Sequence, residues 1–138
     1  MPRLQLAGLA AGLAGVVVSI YLTIQHYAGV VPGCPVAGPI NCDAVLSSPF
    51  AVIAGTSVPT SAAGIAWFGI SALLWLRPVG PQQLAWSAIG LLTVLYLVFL
   101  EIVRIGAICL WCTGAHVLVL AIFLLALTLQ PSRNTVSR

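Results

Sequence analysis

Ile108-Cys109-Leu110-Trp111-Cys112 opens the last long apolar run of the chain, which continues to about Leu129. A C-x-x-C pair at the start of a run long enough to cross a bilayer puts two sulfurs at the mouth of a membrane-embedded helix. There the free backbone N–H groups and the helix macrodipole favour thiolate, the reactive form of cysteine. The same spacing makes a poor staple, because it closes a very small loop and constrains the unfolded chain little. The pair therefore reads as redox chemistry carried by a membrane helix.

Composition points the same way. Of 138 residues, 61% are hydrophobic and 5% are charged. No soluble domain of that size covers its surface with so few polar groups. A transmembrane barrel needs alternating apolar and polar residues, and these runs are continuous. The expected fold class is an all-α membrane protein: a four-transmembrane-helix bundle with a cysteine-containing outer loop and a short interfacial helix. Residues 1–138 form one domain, and any soluble redox partner is a separate protein. The net charge of +3, from five arginines and no lysine, is too small and too scattered for nucleic acid.

Four spans fit the apolar pattern, at about 4–27, 59–76, 83–105 and 107–129. Each is near the roughly 20 residues that cross hydrocarbon. The first is longer than the apolar core of a signal peptide and is read as retained. Arg77-Pro78-Val79-Gly80-Pro81 turns the second span into the third, and Gly106 marks a tighter turn into the fourth. The tail 131–138 is expected to be disordered. Arg3, Arg77, Arg133 and Arg138 fall on one side of this topology and only Arg104 on the other. The positive-inside rule puts the first group, and both termini, in the cytoplasm of a cell (inner) membrane. All four cysteines then face the oxidising side, where disulfides persist.

The outer loop, 28–58, is rich in Gly and Pro in its first half. Its second half, from Asp43 to about Ala54, is mostly apolar behind Asn41 and Asp43, either of which can cap a helix. A short helix roofing the bundle is expected there. Gly8, Gly12, Gly15, Ser19 and Thr23 share one narrow face of the first span, the pattern that lets helices approach closely in lipid. Gly90 and Thr93 are read the same way. Trp67, Trp75, Trp86 and Trp111 are read mostly as interfacial anchors. Glu101 and Arg104, three residues apart, are read as an interfacial ion pair.

The cysteines form two sequence pairs, Cys34 with Cys42 and Cys109 with Cys112. A mobile outer pair and a fixed inner pair suggest a relay by mixed disulfides. The outer pair takes electrons from a soluble dithiol, and the inner pair passes them to an acceptor in the membrane. A lipid-soluble quinone meets that need. The competing readings are a scaffold with structural disulfides or a four-cysteine zinc site. The spacing Cys34-x7-Cys42 is not a usual zinc knuckle, and no metal ligands are assigned. His116 lies one turn below Cys112 on the same face, where an ionisable group is costly and usually functional. It is a candidate for hydrogen bonding or proton delivery to a quinone carbonyl. His26 ends the first span, where a polar residue is ordinary.

The order of these features resembles the vitamin K epoxide reductase family, in its bacterial members. The matching elements are Cys34…Cys42 after the first span, then Asp43-Ala44-Val45-Leu46-Ser47-Ser48-Pro49, then Cys109-Leu110-Trp111-Cys112 opening the fourth. The resemblance covers nearly the whole chain. It implies a four-helix bundle around a quinone of menaquinone or ubiquinone type. In that bundle Cys112 faces the quinone, Cys109 exchanges with Cys42, and Cys34 meets the partner. Ser48 matches a family serine, and Thr60, His116 and Trp111 join it as candidate quinone contacts, Trp111 also shielding the cysteines. The implied partners are the lipid bilayer and a soluble or membrane-tethered thioredoxin-like disulfide-donor protein. Reoxidising that protein supports disulfide-bond formation. Animal members reduce the epoxide instead. Many bacterial members carry a fused thioredoxin-like domain, and none is expected in this chain. Thr60 and His116 also stand where animal members carry asparagine and tyrosine, though both side chains can donate hydrogen bonds. The analogous four-span disulfide-bond oxidases carry their C-x-x-C early and the wider pair late, the reverse of the order here.

Overall fold

The computed structural model describes residues 2–29 and 33–131. The arginines at 133 and 138, and the tail from residue 132, lie outside the described residues. The elements are α1 (Arg3–Ala28), α2 (Cys42–Leu46), a 3-10 turn (Pro49–Ala51), α3 (Thr60–Trp75), α4 (Pro81–Phe99) running into a π-helical turn (Leu100–Ile105), and α5 (Leu110–Thr128). Apart from α2 and the 3-10 turn, the helices pack as a ring: α1 lies against α3 and α5, and α4 closes it from α5 back to α3. α1, α4 with its π turn, and α5 are long and apolar enough to cross a membrane. Their outward faces carry exposed residues such as Leu13, Val17, Leu92, Leu95, Val117 and Leu124, as a lipid-facing surface requires. The chain is a multi-pass, all-α membrane protein. α3, at 16 residues, is shorter. At 1.5 Å per residue it covers about 24 Å of a core about 30 Å thick.

Small residues set the α1–α3 seam. Along it Gly8 faces Trp75, Gly12 faces Ala72, Gly15 faces Phe68 and Ser19 faces Gly64. Thr23 Oγ1 and Ser61 Oγ complete it with a hydrogen bond of 2.9 Å. The two helices are antiparallel, so large residues of one fill the spaces left by glycines of the other. Trp75 is therefore not an interfacial anchor. It is 1% exposed, its ring lying over Gly8. Trp67 and Trp86 are also turned inward, stacked at 6.1 Å between α3 and α4. Gly90 leaves the room for Trp67.

Three glutamines tie the far end of the bundle. Gln5 Nε2 donates to the carbonyls of Trp75 (3.0 Å) and Arg77 (2.9 Å). Gln83 Nε2 donates to Leu74 (2.9 Å) and Pro78 (3.2 Å). Gln130 Nε2 donates to Gly80 and Ala126, both at 3.0 Å. Carbonyls at helix ends have no partner within the helix, and in a membrane no water reaches them easily, so long polar side chains take that place.

At the other end three expectations are corrected. The roof is not one helix to Ala54. Asn41 Oδ1 caps α2 through the Ala44 N–H at 3.1 Å, and α2 stops at Leu46 because Pro49 disfavours helical backbone before it. The fourth helix does not begin at Ala107. Gly106 (φ 72°) ends the π turn, and Ile108 then pairs with Ile40 of the loop as two short extended segments. Finally, Glu101 and Arg104 do not pair. Glu101 is buried, while the Arg104 guanidinium stands 5.7 Å from the ring centre of Phe50. The π turn changes the register, so three-residue spacing no longer brings the two side chains together.

Candidate functional site

The short loop–loop pairing places the cysteines. The Asn41 N–H donates to the Ile108 carbonyl at 3.0 Å, and the Ile108 N–H donates to the Pro39 carbonyl at 2.8 Å. Each of Asn41 and Ile108 is followed directly by a cysteine. Cys42 and Cys109 are consequently packed into one buried cluster with Val45 and Ala107, at 1% and 0% exposure. Cys34 and Cys112 lie at its margin. Cys34 and Cys42 are joined as a disulfide, and Cys109 and Cys112 are free thiols.

Cys109 is the residue before α5, in extended conformation (φ −95°, ψ 119°). Its sulfur takes the capping role usually held by an oxygen, accepting the Cys112 N–H at 3.2 Å. Its carbonyl accepts both the N–H and the hydroxyl of Thr113, each at 2.8 Å. The Cys109 thiol is held below the usual thiol range, first by the hydrogen bond from the Cys112 side chain. Burial opposes this, the Cys112 N–H favours it, a charge on Glu101 opposes it, and the Trp111 N–H favours it.

Beneath this cluster lies a cavity of about 450 Å³ lined by residues of α1, α3, α4, α5 and the roof. Cys112 lines it; Cys109 does not. His116, Ser48 and Thr60 line it as well, so three of the four candidate quinone contacts meet in one chamber. The fourth does not. Trp111 turns outward, 37% exposed, with its ring 4.8 Å from that of Tyr21 and its Nε1 donating to the Gly33 carbonyl at 3.2 Å. The residue following Cys109 by two on a helix cannot share the cavity face with Cys112, which follows it by three.

The hydroxyls are already engaged. Ser48 Oγ donates to the Val45 carbonyl at 2.7 Å, and Thr60 Oγ1 donates to the Ala51 carbonyl at 3.1 Å. Facing the cavity they are left as acceptors. His116 keeps a ring N–H to offer. Two further titratable residues line the cavity, His26 and Glu101. By sequence alone His26 reads as an ordinary polar residue at a helix end, and Glu101 as half of an ion pair with Arg104. The Trp67–Trp86 stack forms part of the wall, with Trp86 Nε1 donating to Ser71 Oγ at 3.0 Å. Trp67 Nε1 is buried with no acceptor among the described residues.

A mostly apolar chamber of this size with a few convergent polar groups is the usual form of a small-molecule site. Its donor set suits a flat, weakly polar ring rather than an ion. Among the described residues no three His, Cys, Asp or Glu side chains gather in a way that could hold a metal.

Comparison with individually curated proteins yields no match. A model of the vitamin K epoxide reductase family matches residues 6–127, from the first turn of α1 to the end of α5. That family consists of membrane oxidoreductases using disulfide and quinone chemistry. With nearly its whole length matched, the chain belongs to the vitamin K epoxide reductase family.

Proposed function

We propose that the protein is a thiol:quinone oxidoreductase of the cell membrane that reoxidises a thioredoxin-like protein outside the cytoplasm. The observation carrying this reading is the division of labour within the C-x-x-C. Cys109 is packed against Cys42, and Cys112 lines the apolar cavity.

Electrons enter at Cys34, the half-buried member of the outer pair. A thiolate of the partner attacks the Cys34–Cys42 disulfide, and the partner leaves as its own disulfide. Cys42 then attacks the Cys109–Cys112 disulfide at Cys109, releasing Cys112. Cys34 resolves the Cys42–Cys109 bond, which restores the outer disulfide and leaves the inner pair as thiols. That is the redox arrangement in the structure. Cys109 suits the step because its thiolate is stabilised, making it a good leaving and attacking group.

A quinone bound in the cavity supplies a two-electron, two-proton acceptor for the inner dithiol. The surrounding residues bind and orient its ring: His116 can donate to a carbonyl oxygen, and the apolar wall excludes water. Four spans, with Arg3 and Arg77 at the cytoplasmic end and the cysteines outside, complete the picture.

The test is quinone reduction by purified protein supplied with a reduced thioredoxin-like donor. Cys109→Ala and Cys112→Ala are expected to abolish turnover. Full turnover in either variant would overturn the assignment.

A further inference from the structure

Glu101 is 6% exposed and occupies the π turn on the cavity wall that Cys112 and His116 also line. The turn sets its direction. Its carbonyl accepts the Gly106 N–H at 2.8 Å and the Ala107 N–H at 3.1 Å, a wider closure than an α-helix makes. Its neighbours Ile102 and Val103 face out, at 60% and 61% exposure. Its side chain shares the cavity wall with Cys112, which is packed against Cys109 in the buried cysteine cluster. Arg104 is turned away over Phe50, so Glu101 has no ion-pair partner among the described residues. An ionisable group so placed in a membrane bundle is costly and commonly belongs to a proton path. π turns of this kind recur at functional sites.

The chemistry leaves such a group a task. Oxidation of the inner dithiol breaks two S–H bonds and forms one S–S bond. Two electrons pass to the quinone, and two protons must reach its oxygens in a chamber whose lining is mostly apolar. Among the described residues, His116 and His26 are the other titratable groups facing the cavity besides Cys112; α3 and α4 contribute none, and Asp43 and Arg104 are exposed outside it. Resting on the function proposed above, we propose that Glu101 is the proton carrier between the inner cysteine pair and the quinone. Its carboxylate takes the proton released at Cys109 and gives it to one quinone carbonyl oxygen, returning to carboxylate within each cycle, while the second proton passes from Cys112, which lines the cavity, to the other oxygen.

The experiment is anaerobic single-turnover oxidation of the pre-reduced, full-length protein by a short-tail quinone, in lipid discs, across the neutral pH range and in light and heavy water. A small dithiol does the pre-reduction, so partner docking plays no part. E101Q keeps the side chain's shape and cannot carry the proton; it is expected to slow the step about a hundredfold, the usual scale of acid–base assistance. Its pH dependence is expected to flatten, with thermal midpoint and quinone affinity unchanged. E101D is expected to recover most of the rate. E101Q at wild-type rate and pH profile overturns the proposal, as does a loss of rate that tracks loss of thermal stability with an unaltered pH profile. If E101Q fails to fold, E101D decides: a displaced pH profile supports the carrier, and an unchanged one overturns it. A wild-type protein that reduces no quinone sinks the function and the carrier together. An active wild type with an indifferent E101Q sinks only the carrier.

Discussion

The Cys112 backbone N–H donates to the Cys109 sulfur at 3.2 Å, so the first cysteine of the C-x-x-C caps the helix that carries the second. A sulfur in that position sees the positive end of the helix. With the Cys112 thiol also donating to it, the Cys109 thiol is held below the usual thiol range. The thiolate is therefore present above that lowered value and lost as pH falls through it. Thiolate absorbance of the reduced protein, minus that of Cys109→Ala, is expected to show one group titrating below the ordinary cysteine value of about 8.5. Replacing Cys112 with alanine removes the first cause and is expected to move that titration upward. A Cys109 titration at or above the ordinary value would remove the basis for its role as exchange partner.

Asn41 does two things that converge on Cys42. Its side chain caps α2 through Ala44, and its N–H holds the loop to Ile108. Asn41→Ala removes only the cap, which costs about 1 kcal/mol at a typical helix start. The expected result is a selective defect. Turnover with a thioredoxin-like donor falls several-fold because Cys42 is less well held beside Cys109. Turnover with a small dithiol that reaches the inner pair directly stays near wild type. Equal losses with both donors would show that the cap serves the bundle rather than the relay.

The long helices were legible because apolar runs end at residues with fixed backbone preferences: Pro59, the Pro78-Val79-Gly80-Pro81 stretch, and Gly106. The glycine face of α1 was legible as a close-approach surface, though not that Trp75 and Phe68 would fill it. What local pattern could not reveal is non-local. Ala107-Ile108-Cys109 fits helix or strand equally well, and its extended form depends on Ile40, far away in sequence. The inward turn of Glu101 depends on a π turn that no spacing rule announces, since its three-residue distance from Arg104 suggests a pair on an α-helix. Trp111, a candidate quinone contact by sequence, sits next to Cys112 on a helix whose adjacent positions point about 100° apart, so it faces away from the cavity that Cys112 lines.

Glycines of the bundle separate into two kinds that sequence alone does not distinguish. A Cβ at Gly12 would come within 3.1 Å of the Ala72 backbone nitrogen, which cannot give way as a flexible side chain could. A Cβ at Gly69, inside α3, would meet nothing within 4 Å. Gly12→Val is expected to destabilise the α1–α3 seam by about 1–3 kcal/mol, the usual cost of overpacking. Gly69→Ala is expected to be neutral or to stabilise by up to about 1 kcal/mol, since alanine is the better helix former. Thermal unfolding in detergent measures both, and equal effects would contradict the seam.

His116 and Trp111 give the sharpest contrast for the cavity. His116 lines it with a ring N–H that has no acceptor among the described residues, while Trp111 spends its indole N–H on the Gly33 carbonyl and its ring on Tyr21. His116→Phe keeps an aromatic wall of similar bulk and removes the donor. A net hydrogen bond is worth about 1 kcal/mol, so the KM for quinone is expected to rise roughly fivefold with little change in exchange between the cysteine pairs. Trp111→Phe keeps an aromatic ring against Tyr21 and loses the bond to Gly33. Its KM for quinone is expected to stay at the wild-type value, while the loop carrying Cys34 becomes easier to cleave with protease. The reverse pattern, a quinone defect in the Trp111 variant and none in the His116 variant, would mean that the ring binds on the outer face of α5 rather than in the chamber beneath Cys112.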